Sequence, residues 1–460
     1  MAKIRDMTQG DPTGHILAFA LPMLLGNVCQ QLYSMVDTAV VGKVVGVTAL
    51  AAVGAAGWLD WLVLGFVIGL TQGFSILISQ RFGGGDLSGM RKAVAMSGWL
   101  TVIAILIVTT LSLLLCGPVL RLMNTPETSY PLAHQYVTII FLGIPVTMCY
   151  NLFSGMLRAL GNSRTPLYAM IIASGVNVVL DLLFVAGFHW GVRGAAAATV
   201  LGQLCSAVFC LIAVARVPQL RLSREDWRVD RPTLRALARL GFPIAGQNTI
   251  VSVGGVVMQG IVNGFGEVIM AGVSAAMKLC GLLEMAGLSI GSSMHTFAGQ
   301  NLGAGRYGRI REGVKKALVI SISLAVLCGL LGILFGRQLL SLFVNMQEAQ
   351  AAQVIEASYA FLRIICIMLF SLYSLFIFRS TLQGMGDAVF PIASSFLQVF
   401  MRTAVTWVLT RMWAERGIYV GDTLAWFSAA LFLMIVYIRR IDRLDPKKQT
   451  GGNANGPAAS

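Results

Sequence analysis

The chain has 460 residues, of which 56% are hydrophobic and only 12% are charged. Soluble domains average about 25% charged residues, so this composition excludes an ordinary soluble protein and indicates a polytopic membrane protein. The formal net charge of +14 has the sign of a nucleic-acid-binding surface, but its distribution along the chain points to another cause.

Apolar runs of about 20 residues, the length of a membrane-spanning helix, recur along nearly the whole chain. They predict an all-α fold with twelve membrane-spanning helices. The predicted spans are 14–42, 46–80, 93–120, 132–157, 166–188, 194–215, 238–263, 268–298, 315–336, 352–378, 388–410 and 417–438.

Lysine and arginine concentrate in alternate loops and at both chain ends. The positive-inside rule then places both termini in the cytoplasm. We therefore expect a multi-pass protein of the plasma (inner) membrane, whose basic excess reflects topology and not a nucleic-acid partner. The expected domains are a cytoplasmic N-terminal tail (1–13), a six-helix lobe (14–216), a basic cytoplasmic linker (217–237), a second six-helix lobe (238–440) and a disordered cytoplasmic tail (441–460).

The two predicted lobes repeat one another in sequence. The matching positions are Pro22 with Pro243, Gln80–Gly85 with Gln300–Gly305, Arg91 with Arg311, Phe153 with Phe378, Gly161 with Gly386, and Pro166 with Pro391. Each copy holds an even number of spans, so both have the same orientation in the membrane, which defines a parallel repeat. The glycine-rich stretches at 83–85 and 303–305 are interpreted as tight turns at helix ends rather than phosphate-binding loops.

Span 1 contains a polar stripe that ends in an acid. Asn27, Gln30, Ser34 and Asp37 are spaced by 3, 4 and 3 residues, which places them on one face of a helix. A carboxylate inside a span is costly in lipid and is by default a functional candidate. The stripe is therefore predicted to face protein or trapped water.

Spans 5 and 6 carry a second set of polar residues in the same lobe. Asp181, Asn177 and Ser174 share a face of span 5, and Thr199 and Gln203 share a face of span 6. The topology puts Asp181 and Asp37 at similar depth. Two carboxylates with amide and hydroxyl oxygens can bind Na⁺ or share a proton, and Asp37, Asp181 and Asn177 are the predicted ligands. The alternative is that amides hold these acids only to fix helix packing.

Other charged residues inside spans give weaker indications. Asp60 is expected either to take part in coupling or substrate binding, or to form a structural pair. Glu284 is expected either to line a cavity or to pack in an ion pair. Arg363 and Arg402 are expected to pair with other groups or with backbone carbonyls.

Several short motifs recur in a fixed order along the chain. They are Gln31–Tyr33, Val36–Thr38 and Gly42, the Gln80–Asp86 loop, Leu160–Pro166, Asn177 with Asp181, and Gly299–Gly305. By these motifs the chain resembles, from about residue 10 to residue 440, the MATE family of multidrug and toxin extrusion transporters. The resemblance implies two six-helix bundles that form a V around a central cavity. It also implies cation-coupled export of organic, often cationic, compounds by alternating access between the lobes.

One branch of this family has an acid in span 7, where this chain has Val251, and another deep in span 10, where Glu356 lies too near the end. The chain keeps acids in spans 1 and 5, so it resembles the DinF-like branch. We expect a monomeric antiporter that uses H⁺ or Na⁺ and needs no cofactor, with a small organic substrate and the lipid bilayer as partners. The alternatives are a lipid-linked oligosaccharide flippase or a membrane enzyme, although no acidic Mg²⁺-binding motif lies in a span.

Overall fold

The computed structural model describes residues 4–123, 125–344 and 350–444. The ends of the two predicted tails, residues 1–3 and 445–460, lie outside the described residues. The chain forms two compact units. The N-terminal unit contains residues 4–6 and Leu21–Ser252, and the C-terminal unit contains Met7–Ala20 and the chain from Val253 onward.

The first half of the sequence forms seven α-helices. They are α1 Pro12–Val40, α2 Val47–Gly83, α3 Leu87–Leu122, α4 Tyr130–Leu142, α5 Ile144–Ala159, α6 Arg164–Asp181 and α7 Val192–Ala215. The second half forms another seven. They are α8 Arg231–Asn263, α9 Glu267–Gly303, α10 Tyr307–Ser341, α11 Ala351–Gly384, α12 Val389–Phe400, α13 Thr406–Trp413 and α14 Arg416–Leu444.

The described part of the chain is helical throughout and has no strand. Eleven helices or continuous helical segments are long and apolar enough to cross a membrane, and α4 with α5 makes a twelfth span that is bent by 44°. The bend lies at Gly143, and Pro145 follows in the first turn of α5, where a missing backbone N–H is tolerated. The predicted twelve-span all-α fold is therefore confirmed.

Three spans contain a π-helical segment, in which the backbone is wider than in an α-helix. The segments are Val41–Val45 after α1, Leu182–Gly187 after α6, and Met401–Val405 between α12 and α13. Such segments are rare and often lie at functional sites, because they free backbone groups from the regular hydrogen-bond ladder. The first two follow the acids Asp37 and Asp181 within one turn.

The glycine-rich stretches are turns at helix ends, as predicted. Gly85 and Gly305 have φ of 73° and 67°, a conformation that glycine adopts without a steric penalty. Asp86 follows the first turn, and its Oδ1 accepts a hydrogen bond from the backbone N–H of Gly89 at 2.8 Å, which caps α3.

Within the N-terminal unit, α2 crosses the first half of α8 with almost no space between the backbones. A Cβ atom on Gly73 would lie 2.4 Å from Cα of Gly241, and one on Gly69 would lie 2.6 Å from Cα of Ala245. Small residues allow this close approach, which is a common way to join helices in membranes. The first half of α8 is thereby fixed to the N-terminal unit.

The C-terminal unit includes the start of α1 and the residues before it. Met7 is fully buried, and its backbone N–H donates to Oε1 of Gln300 at 2.8 Å. Asp11 accepts a hydrogen bond from Nζ of Lys316 at 3.0 Å and one from the backbone N–H of Gly14 at 2.8 Å. These contacts attach the beginning of the chain to α9 and α10.

Candidate functional site: an acidic cluster in the N-terminal unit

Two buried acids lie at or near the ends of α1 and α6, since Asp181 is the last residue of α6 and Asp37 lies three residues before the end of α1. Asp37 is 8% exposed and Asp181 is fully buried. The π-helical segments that follow them, Val41–Val45 and Leu182–Gly187, pack against each other. The two carboxyl groups are close enough for their negative charges to repel each other. The structure therefore brings together the two acids that the sequence placed at similar depth.

Asn177 joins α6 to α7 beside Asp181. In the amide orientation that satisfies both neighbours, its nitrogen donates to Oδ2 of Asp181 at 3.2 Å, and its oxygen accepts from the backbone N–H of Thr199 at 3.3 Å. Asn177 is itself 2% exposed. The short separation of the helices depends on Gly202, because a Cβ atom there would lie 3.2 Å from Cβ of Asn177. The amide thus orients one oxygen of Asp181.

Several oxygens at this site have no hydrogen-bond partner among the described residues. They are Oδ1 of Asp37, Oδ1 of Asp181 and Oγ of Ser174. A buried polar atom without a partner is costly, so such atoms indicate a place for a bound ion, proton or water. Carboxylate, amide and hydroxyl oxygens together suit Na⁺ or a shared proton.

A small cavity that is partly open to the outside lies in the same unit. Its polar lining comes from Asp60 on α2, Tyr136 on α4, Thr147 on α5, and Thr199 and Gln203 on α7. Thr147 donates a short hydrogen bond to Oε1 of Gln203. The remaining lining is aliphatic, so the cavity offers an apolar surface with a few polar contacts, the usual character of a small-molecule site.

Tyr136 and Tyr33 connect the cavity to the acids. Both phenol groups are within electrostatic range of Asp37, Asp60 and Asp181. Three acids and two tyrosines therefore lie in one neighbourhood of the N-terminal unit. The two tyrosines and Thr147 were not among the predicted site residues. Tyr33 could have been found, since Asp37 follows it by four residues on the same helix face, whereas Tyr136 has no polar neighbour at helical spacing.

Two residues of the predicted polar stripe are exposed on α1. They are Gln30 and Ser34, whereas Asn27 is half-buried, although helical spacing put all three on the face of Asp37. Gln30 still reaches the cluster, because its side chain hydrogen-bonds to Tyr33.

The C-terminal unit holds a separate group of charged residues. Nε of Arg402 lies 2.5 Å from Oδ1 of Asp422, which confirms that Arg402 is paired. Glu284, half-buried on α9, accepts a weak hydrogen bond from Sγ of Cys280 at 3.5 Å and is within electrostatic range of Arg402 and Asp422. Asp422 was not among the predicted site residues, although it is an acid inside the predicted span 417–438.

This fold and its acidic cluster define a polytopic membrane transporter. A family model described as MatE matches residues 22–183 and 243–408, once in each half of the chain. The chain belongs to this family, the multidrug and toxin extrusion transporters, as the sequence motifs predicted. The double match also agrees with the internal repeat.

Similar proteins carry names that describe drug resistance or transport. The chain is 29% identical over 359 residues to "Probable multidrug resistance protein YpnP" of Bacillus subtilis, covering 76% of this chain and 78% of that protein. It is 27% identical over 434 residues to YoeA of the same organism, covering 91% and 92%. A protein of Shewanella oneidensis named "FAD transporter" is 27% identical over 344 residues, covering 72% and 75%.

Solved structures have the same fold. A crystal structure of a MATE protein in complex with MaL6 superposes with a TM-score of 0.90 at 22% identity, covering 95% of this chain and 98% of that one. A MATE transporter in an outward-facing conformation gives a TM-score of 0.89 with the same coverage and identity. These relatives and neighbours are transporters, and the chain is not an enzyme.

Proposed function

We propose that this chain exports organic cationic or amphipathic compounds across the plasma membrane in exchange for H⁺ or Na⁺. Both termini are cytoplasmic in this proposal, the protein acts as a monomer, and the two lobes give alternating access. The coupling ion binds at Asp37, Asp181 and Asn177, as in the DinF-like branch. The observation that carries the proposal is the pair of buried acids, each with an oxygen that has no partner within the described residues.

The same two acids explain how exchange is coupled. A proton or Na⁺ at Asp37 and Asp181 neutralises charge that is otherwise unfavourable in a buried site. A cationic substrate in the cavity beside Asp60 competes with that ion through the shared negative field of the cluster. Ion entry then favours substrate release, and the linkage is reciprocal because both ligands draw on one electrostatic free energy.

The charge of the cavity weighs against anionic substrates. A lipid-linked oligosaccharide and FAD both carry a pyrophosphate group, which cationic side chains would meet. The charged residue that lines the described cavity is the acid Asp60, which repels such a group and attracts a cation. The name of the Shewanella relative makes FAD an informative negative control for transport.

The test is uptake of a fluorescent organic cation into inverted membrane vesicles under an imposed proton gradient or an imposed sodium gradient. The gradient that drives uptake identifies the coupling ion. Asp37→Asn and Asp181→Asn keep the side-chain size but remove the titratable charge, and each is expected to abolish gradient-driven uptake. The double variant is expected to be no worse than either single variant, because the acids act as one unit.

Two further variants make the comparison specific. Asn177→Ala removes one orienting hydrogen bond and no charge, so a milder loss is expected. Asp86→Asn is the matched control, because Asp86 pairs with Arg81 on the protein surface and should leave transport unchanged. Uptake near the wild-type rate in a folded, membrane-inserted Asp37→Asn protein would exclude this site from coupling.

A further inference from the structure

The fifth span of each half follows the same backbone plan. Gly161 and Gly386 precede these spans with nearly equal φ of 77° and 80°. Asn177 lies sixteen residues after the first glycine, and Arg402 lies sixteen residues after the second. Arg402 therefore occupies, in the C-terminal unit, the position that Asn177 occupies beside the acids of the N-terminal unit.

The sixth spans can be aligned in the same way. Gly191 precedes α7 with φ 59° and ψ −139°, and Ala414 precedes α14 with φ 49° and ψ −133°. This conformation is rare, and for alanine it is strained, so its recurrence marks equivalent positions. Thr199 lies eight residues after Gly191, and Asp422 lies eight residues after Ala414.

The equivalent positions touch in both units. In the N-terminal unit the amide of Asn177 accepts from the backbone of Thr199 at 3.3 Å. In the C-terminal unit Nε of Arg402 donates to Oδ1 of Asp422 at 2.5 Å. The equivalent positions of the fifth and sixth spans thus hold an uncharged amide contact in the N-terminal unit and a guanidinium–carboxylate pair in the C-terminal unit.

The two acids of the candidate coupling site, Asp37 and Asp181, have no counterparts at the equivalent positions of the second half. Thr406 follows Arg402 by four residues, as Asp181 follows Asn177. Met258 lies fifteen residues after Pro243 of α8, as Asp37 lies fifteen residues after Pro22 of α1. The C-terminal unit has lost both acids of the candidate coupling site and has gained one at Asp422.

The cation that balances Asp422 is part of the protein. Asp422 is fully buried and the side chain of Arg402 is 12% exposed, so the pair is shielded from water. The arginine lies in the π-helical segment Met401–Val405, and Glu284 adds a second acid within electrostatic range. Removing one partner of such a pair leaves an uncompensated buried charge.

We propose that the guanidinium of Arg402 is the resident cation of the C-terminal unit. It supplies the positive charge that the N-terminal unit takes from the coupling ion, so Asp422 needs no coupling ion for charge balance. Oδ2 of Asp422, which has no hydrogen-bond partner among the described residues, needs only a neutral donor such as water. A single coupling site per chain, in the N-terminal unit, is then expected, and this expectation rests on the proposed function.

The experiment measures thermal unfolding of the purified protein, with and without millimolar guanidinium, far below denaturing concentrations. Arg402→Ala is expected to lower the melting temperature by several degrees. Guanidinium should reverse most of that loss by entering the vacated place, whereas equal potassium should not. Arg402→Ala combined with Asp422→Asn should regain stability without any added cation, because both charges are then gone.

Arg337→Ala is the matched control, because Arg337 forms an exposed ion pair with Glu356 in the same unit. It should show little loss and no response to guanidinium. An Arg402→Ala protein as stable as wild type, or one rescued by neither guanidinium nor Asp422→Asn, would overturn the proposal. If Arg402→Ala does not fold, the double variant decides, since it should fold only if the unpaired acid is the cause. These readouts need no transport, so they are independent of the result for Asp37→Asn.

Discussion

Gly202 lets α7 approach α6 at the level of the candidate ion site, and Gly202→Ala tests whether that separation sets the geometry of the site. The added Cβ atom would lie 3.1 Å from the backbone oxygen of Ala173 and 3.2 Å from Cβ of Asn177. Both distances are shorter than ordinary contacts, so α6 must shift by a few tenths of an ångström. The shift carries Asn177 and Asp181 together away from α7, and so lengthens the contact between the amide of Asn177 and the backbone of Thr199.

The effect on stability is the sum of two opposing contributions. Replacing glycine by alanine inside a helix gains about 1 kcal/mol. Overpacking a close contact costs about 1–3 kcal/mol, so the net loss is roughly 0–2 kcal/mol. The hydrogen bond from the backbone N–H of Thr199 to the amide oxygen of Asn177 starts at 3.3 Å and would pass the limit of a useful bond. Losing this hydrogen bond removes about 0.5–1.5 kcal/mol that orients the amide beside Asp181. Export then falls at most about tenfold, since 1.4 kcal/mol is tenfold.

The assay compares gradient-driven uptake per inserted protein for Gly202→Ala and for Gly175→Ala. Gly175 lies on α6 with no atom within 4 Å of a new Cβ atom, so its replacement should leave uptake unchanged and raise stability slightly. Loss of uptake in Gly202→Ala alone is the expected result. Equal uptake in the two variants would refute the reasoning that the α6–α7 separation positions the acid.

Three other outcomes follow from contacts in the structure. Gly73→Ala should destabilise the protein more than Gly202→Ala, because the new Cβ atom would lie 2.4 Å from the backbone of Gly241, and thermal unfolding in detergent measures the difference. Tyr373→Phe should cost about 0.5–1.5 kcal/mol in the same assay, because the buried hydroxyl donates to a backbone carbonyl of α9 at 2.6 Å. The hydrogen bond from Lys316 lowers the pKa of Asp11 to about 2, so its contribution is present above the unfolded pKa of about 3.9 and is lost as pH falls toward 2. The melting temperatures of wild type and Asp11→Asn should therefore differ at neutral pH and converge in acid.

Features with a high energetic cost could be predicted from the sequence. Asp37 and Asp181 stood out because acids are rare in spans, and the glycine turns stood out because few residues tolerate positive φ. The partner of Arg402 could not be named, since a sequence gives the need for a counter-charge but not which span supplies it.

Features that leave the apolar pattern unchanged could not be predicted. The bend at Gly143 and the π-helical segments interrupt backbone hydrogen bonding within continuous hydrophobic runs, so no polar residue marks them. Gln30 and Ser34 show the limit of helical spacing. The spacing assigns residues to one face of a helix, but it does not say which of them other helices bury.

The assignment of Met7–Ala20 to the C-terminal unit has a consequence for synthesis in the cell. Met7 and its partner Gln300 are separated by 293 residues in the chain. At a ribosomal rate of about 5–20 residues per second, Gln300 is made roughly 15–60 s after Met7. During that interval the start of α1 has left the ribosome, but the α9 surface that buries it does not exist. The earliest translated turns are thus among the last to reach their native neighbours, and a nascent chain arrested before α9 should leave Met7 open to protease.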